Sequence, residues 1–132
     1  MADALHLEVA TPESRLVAVD VDEVQVPGRD GYLGILPGHA ALVGELGTGC
    51  LSYAAGTRRW YVAVQGGFLE VRDDNVRILA TAAERGEDID ATQARAALAQ
   101  ARTAAEGAAD PAAAIQAVEW AEARLAAARA QS

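Results

Sequence analysis

The chain has 132 residues, a formal net charge of −8, 52% apolar residues and only 5% aromatics. That length suits one or two small domains with a core built from Val, Leu, Ile and Ala. An acidic chain repels a phosphate backbone, which argues against nucleic acid as a partner, and the lack of any Lys removes P-loop, Schiff-base and lysine-base chemistry.

The opening stretch MADALHLEVATPE has no basic start followed by a long apolar run, so no signal peptide is expected. No segment approaches the roughly 20 apolar residues that span a bilayer, so membrane association is expected only through a partner.

Up to about residue 86 the pattern has the period of two that marks strands. Leu7 and Val9 alternate with His6 and Glu8; Val17, Val19 and Val21 alternate with Ala18, Asp20 and Asp22. The phase then slips by one to Val24 and Val26, which predicts a bulge or strand break near Asp22–Glu23. Trp60, Val62 and Val64 form another run, as do Val76, Ile78 and Ala80. Pro27-Gly28, Asp30-Gly31, Pro37-Gly38 and Gly56 read as turns, and Gly66-Gly67 as a hairpin turn. Short strands with such punctuation predict an antiparallel sandwich or barrel.

From Ile89 onward nearly every second residue is Ala, the best helix former. Asp90 is the expected N-cap of a first helix, with Ala91, Ala94, Leu98, Ala101 and Ala105 along one face and Gly107 at its end. Asp110-Pro111 gives an N-cap followed by a proline at the first helical position of a second helix. Ile115, Val118 and Leu125 are expected on its apolar stripe. The predicted architecture is therefore an N-terminal antiparallel β-sandwich over residues 1–86 and a C-terminal antiparallel two-helix hairpin over residues 87–132. An alanine-rich seam gains little from burial, so the hairpin is expected to hold only modestly and to detach.

No catalytic constellation emerges. His6 and His39 lack neighbours at metal-ligand spacing, and no metal site is expected; His39 reads as bracing the Pro37-Gly38 turn. Cys50 is the only cysteine and reads as a small buried hydrophobe. The glycine-rich stretch GRDGYLGILPG lacks the ending of a phosphate loop. The acidic groups at Asp20, Asp22 and Glu23, and at Glu84, Glu87, Asp88 and Asp90, read as solvated faces. Trp120 falls roughly opposite the stripe of the second helix, placed either to pack on the sandwich or a helix flank or to meet a partner, with Arg124 one turn later able to stack on it.

Two long segments, GYLGILPGHAALVGELGTGCL and VAVQGGFLEVRDDNVRILATAAE, resemble the characteristic stretches of bacterial F-type ATP synthase epsilon subunits. LHLEVATPES resembles the family's first strand and turn, and the Ala-rich tail follows in the expected place. The resemblance implies a non-catalytic rotor subunit. Its sandwich would bind the gamma subunit and the c-ring, and its hairpin would fold down on the sandwich or extend along gamma to meet alpha and beta subunits transiently, inhibiting ATP hydrolysis. It implies a peripheral position on the cytoplasmic face of the plasma membrane. Arg29, Asp30, Gly31, Tyr32 and Leu33 match the family loop that approaches the c-ring; Pro37, Gly38 and His39 match its turn motif.

The tail departs from the family's ATP-binding pattern. The junction reads Ile89-Asp90-Ala91-Thr92-Gln93-Ala94, with Gln93 where the motif has Arg. Arg124 matches one arginine of the second helix, Trp120 stands at the other's place, and Arg95 is displaced about 200° around its helix. Without the guanidinium fork, ATP binding is expected to be weak or absent, with no cofactor. Arg95, Arg102, Trp120, Arg124 and Arg129 are the candidate regulatory contacts. The tail's basic residues are matched by Asp90, Glu106, Asp110, Glu119 and Glu122, so long-range attraction to an acidic surface is weak. A structural, non-inhibitory tail is the alternative, and an unrelated β-sandwich binding module a more distant one.

Overall fold

The structure is a computed structural model, and it describes residues 4–132. Eight strands come first: β1 (Leu5–Ala10), β2 (Arg15–Val21), β3 (Glu23–Gly28), β4 (Gly31–Ile35), β5 (Leu42–Glu45), β6 (Thr48–Ala55), β7 (Arg58–Arg72) and β8 (Asn75–Arg85). A 3-10 turn, Gly86–Asp88, leads to α1 (Ala91–Ala105) and α2 (Pro111–Gln131). The strands run β2-β1-β8-β7-β6-β3-β4, with β5 also pairing β7. Every pairing is antiparallel except β1 with β8, which is parallel.

The period of two sets the core. Leu5, Leu7 and Val9 from β1 meet Val62, Val64, Leu69 and Val71 from β7 and Val76, Ile78 and Ala80 from β8 in one cluster. Each fully buried Val, Leu or Ile contributes about 1.5–3 kcal/mol, so these residues dominate the stability of the sandwich. The slip of phase at Asp22 is a strand break: β2 ends at Val21, β3 starts at Glu23, and Val21 and Val24 are both buried.

Gly66-Gly67 is not a hairpin turn. Both glycines lie inside β7 with φ of 61° and 107°. The strand bends there, and its partner changes from β6 to β5, while β8 follows the other side in a single register. A Cβ on Gly67 would collide with the Leu79 carbonyl, so the bend is compatible only with glycine. The turn itself falls at Asp73-Asp74, whose φ values of 50° and 63° give a two-residue hairpin with left-handed residues at both positions. Asp tolerates this conformation because its short polar side chain bonds locally.

The helices begin as their caps dictate. The Asp90 carboxylate accepts from Gln93 N–H at 3.0 Å and that of Asp110 from Ala113 N–H at 3.2 Å, with Pro111 at the start of α2. In α1, Ala94 and Leu98 are buried, flanked by half-buried Ala91, Ala101 and Ala105. In α2 the expected stripe fails at its N-terminal end. Ile115 is 58% exposed, and burial starts at Ala121 and continues through Ala123, Leu125, Ala127 and Ala128. The fully buried residues of α2 all fall in its C-terminal half, so a regular apolar spacing does not suffice to bury Ile115.

Candidate interaction surfaces

Arg29 and Asp30 form the two-residue turn between β3 and β4, closed by the Gly28–Gly31 pair. Arg29 is tied at both ends: its backbone N–H donates to the Glu45 carbonyl at 3.0 Å, and its guanidinium pairs with the Glu45 carboxylate. That hydrogen bond, and then the charge of Glu45, raises the Arg29 pKa above its ordinary value. Asp30 and Gly31 point to solvent, and Leu33 packs on the core. Tyr32 is 59% exposed, yet its hydroxyl accepts from Cys50 N–H at 3.0 Å. The loop is thus a rigid tip with an aromatic ring exposed on its flank.

Pro37, Gly38 and His39 make a turn closed by His39 N–H donating to the Leu36 carbonyl at 3.0 Å. Gly38, at φ 87°, donates its N–H to Asp74 Oδ1 at 2.8 Å, so the β7–β8 turn braces this one. His39 Nδ1 lies 2.7 Å from the Ala40 carbonyl, a local brace of the turn. Near these turns the sheet exposes Val43, Phe68 and Leu79, at 74%, 59% and 45%. Phe68 and Leu79 are cross-strand partners, which makes a contiguous apolar face.

The acidic group at 20–23 is exposed at Asp20 and Asp22 and half-buried at Glu23, and each carboxylate has a partner. Asp20 pairs with His6 at 3.0 Å, and Asp22 accepts from Gly56 N–H at 2.8 Å. Glu23 bonds Arg59 and Gln25, and the Arg59 hydrogen bond holds its carboxyl below the ordinary value. In the second group, Glu84 takes Arg124, Asp88 takes Arg85, and Asp90 caps α1. The pairings of Asp20, Asp22, Glu23 with Arg59, and Glu84 span 14 to 40 residues, which hides them from inspection of the chain.

At the junction, Ile89 and Ala94 are buried in the cluster between hairpin and sandwich, and Gln93 is exposed. Ala63, Leu98, Ala121, Ala123, Leu125, Ala127 and Ala128 complete that cluster, with Cys50, Tyr61, Val118 and Trp120 packed against it. Trp120 is half-buried there, although helical geometry sets it away from Leu125. Arg124 does not stack on it but pairs with Glu84, Nε at 2.7 Å. Arg102 reaches Glu122 at 3.4 Å across the hairpin. Arg95 and Arg129 are exposed and make no ion pair among the described residues. Cys50 is half-buried, and burial pushes its thiol up to about 11.

Among the described residues no group of three or more His, Cys, Asp or Glu side chains is arranged to hold a metal ion, and no helix is long and apolar enough to cross a membrane. A β-sandwich with rigid turns, an exposed apolar face and a docked helical hairpin defines an interaction subunit. The family model for the ATP synthase delta/epsilon chain β-sandwich domain matches residues 4–86. The "ATP synthase epsilon chain" of Solibacter usitatus is 54% identical over 129 residues, covering 96% of each chain. That of Carboxydothermus hydrogenoformans is 48% identical over 102 residues, covering 77% of this chain and 76% of the relative. A chain in the Euglena gracilis mitochondrial ATP synthase structure of OSCP, F1 and c-ring is 26% identical, with a TM-score of 0.81 over 98% of this chain and 83% of that one. A chain of the Tetrahymena thermophila mitochondrial ATP synthase central stalk and c-ring shares the fold at 15% identity and a TM-score of 0.59, covering 97% of this chain and 96% of that one. The chain belongs to the ATP synthase delta/epsilon chain family, as an epsilon-type, non-catalytic subunit.

Proposed function

We propose that the chain is a central-stalk rotor subunit that couples the gamma subunit to the c-ring, and that its hairpin regulates ATP hydrolysis. The observation that carries the rotor reading is the likeness, over nearly the whole chain, to a chain from an assembly of F1 with its c-ring. In this reading residues 1–86 form the binding part, with the Arg29–Leu33 tip toward the c-ring, the Pro37–His39 turn at the other end of β4 and an outer sheet face against gamma. The complex sits peripherally on the cytoplasmic face of the plasma membrane.

The regulatory reading rests on how the hairpin, residues 87–132, is held. Its contact with the strands is mostly Ala, and each buried methylene contributes only about 0.8 kcal/mol. The whole hairpin depends on α2, because α1 packs chiefly on α2. An element so attached can leave as a unit and present Arg95, Arg102, Trp120, Arg124 and Arg129 to alpha and beta subunits. The Asp90 carboxylate is engaged as a helix cap and no guanidinium stands at Gln93, which supports weak or absent ATP binding at Ile89–Ala94.

A second reading, a purely structural tail, is favoured by the engagement of Arg102 and Arg124 with Glu122 and Glu84. The two separate in an epsilon-depleted catalytic complex given back either the full chain or residues 1–86. Suppression of hydrolysis by the full chain alone is the expected result. Binding by both with suppression by neither would make the tail structural, and binding by neither would overturn the rotor reading.

A further inference from the structure

The last turn of α2 makes a contact that ordinary helix packing does not explain. Strand β8 stops pairing with β7 at Val62–Arg85, and the chain turns away at Gly86. Beyond that point the Tyr61 N–H and the Arg59 carbonyl have no strand partner on that side. The Gln131 side chain fills the vacancy: Oε1 accepts from Tyr61 N–H at 2.8 Å, and Nε2 donates to the Arg59 carbonyl at 3.4 Å. Bonding the groups on either side of Trp60 is what one residue of a parallel strand would do. The carboxamide therefore stands in for a missing strand residue.

Gly86 makes the approach possible. A Cβ there would lie 2.5 Å from the Ala127 carbonyl and 3.0 Å from that of Tyr61, so α2 presses on the end of the sheet where glycine leaves room. The contact is also placed to control the whole hairpin. All the buried residues of α2 lie between Ala121 and Ala128, and α1 is held mainly through α2. Freeing the last turn uncovers the polar edge of β7 and leaves Leu125, a run of Ala side chains and the Arg124–Glu84 pair to hold the rest.

We propose that Gln131 is the catch of the hairpin: its carboxamide, bonded to the open edge of β7, sets how often both helices leave the sandwich together. The regulatory consequence rests on the inhibitory reading above; the catch does not. Losing both hydrogen bonds from this mostly alanine interface corresponds to about a tenfold or greater rise in undocking.

The test is amide hydrogen exchange on the full chain, comparing the wild type with Gln131→Leu and Gln131→Glu and using Ile78 in the sandwich core as internal reference. The expected result in Gln131→Leu is about tenfold faster exchange at Tyr61 and, by the same factor, at residues 121–128, with Ile78 unchanged. Gln131→Glu keeps the acceptor but loses the donor, and should fall between the two. Faster exchange at Tyr61 alone, or at neither place, overturns the proposal. Each variant is then assayed in the reconstituted catalytic complex. Faster exchange with lower hydrolysis supports both readings, whereas faster exchange with unchanged hydrolysis keeps the catch and removes the inhibitory reading.

Discussion

Arg124 grips Glu84 with Nε 2.7 Å from one carboxylate oxygen and Nη2 3.4 Å from the other, tying the middle of the hairpin to the end of β8. Arg124 is 18% exposed and Glu84 39%, so solvent screens the pair only in part. A double-mutant cycle with Arg124→Ala and Glu84→Ala should give a coupling of about 1 kcal/mol on hairpin docking, weaker in high salt. Exchange at residues 121–128 measures it, and a coupling near zero would show the pair to be incidental.

Cys50 reports on the same docking without any substitution. Its thiol is pushed up to about 11 by burial, opposed by a weaker backbone hydrogen bond, so little thiolate exists near neutral pH. Alkylation of the full chain at pH 8 should be slow. In residues 1–86 alone the helices that pack beside Cys50 are gone. Burial then lessens, the pKa falls toward its ordinary value, and alkylation should speed up roughly tenfold or more. Equal rates would mean that the hairpin does not cover Cys50 in solution.

The bend in β7 is open to a direct stability measurement. Gly67→Ala places a Cβ against the Leu79 carbonyl at φ 107° and should cost at least about 2 kcal/mol in urea unfolding. Gly44→Ala, whose Cβ would meet Leu69 at an ordinary 3.8 Å, should stay within roughly 1 kcal/mol of wild type.

Glu23 supplies a pH-dependent contribution. Its carboxyl is held below 4.5, first by the hydrogen bond from Arg59 and then by that from Gln25. A carboxylate with a lowered folded-state pKa stabilises the fold above its unfolded value, and that stabilisation is lost as pH falls through the folded value. The wild type should therefore exceed Glu23→Gln in stability by a constant margin from pH 6 to 8. The margin should shrink as pH drops below 4.5. Chemical denaturation across that range checks it, and a margin independent of pH would remove the ion pair from the account.

Much of this architecture is written locally. Alternation placed Leu7, Val9, Val62, Val64, Val76 and Ile78 in the sandwich core; the phase slip marked the break at Asp22; Asp90, Asp110 and Pro111 set the helix starts. These depend on neighbours a few residues apart, where the side-chain period and capping chemistry act without reference to the rest of the chain. Long specific segments likewise carried the family. What sequence reasoning placed wrongly is non-local. Gly66-Gly67 has the composition of a turn, but whether two glycines reverse a strand or bend it depends on the strands alongside, here β5, β6 and β8. Ile115 has the right spacing for burial and stays exposed, because the buried stretch of α2 runs only from Ala121 to Ala128. The Gln131 contact with Tyr61 and Arg59 spans 70 and 72 residues, and the Arg124–Glu84 pair 40. A polar side chain's partner is whichever unpaired group the folded chain brings within hydrogen-bond distance, and only the tertiary structure decides that.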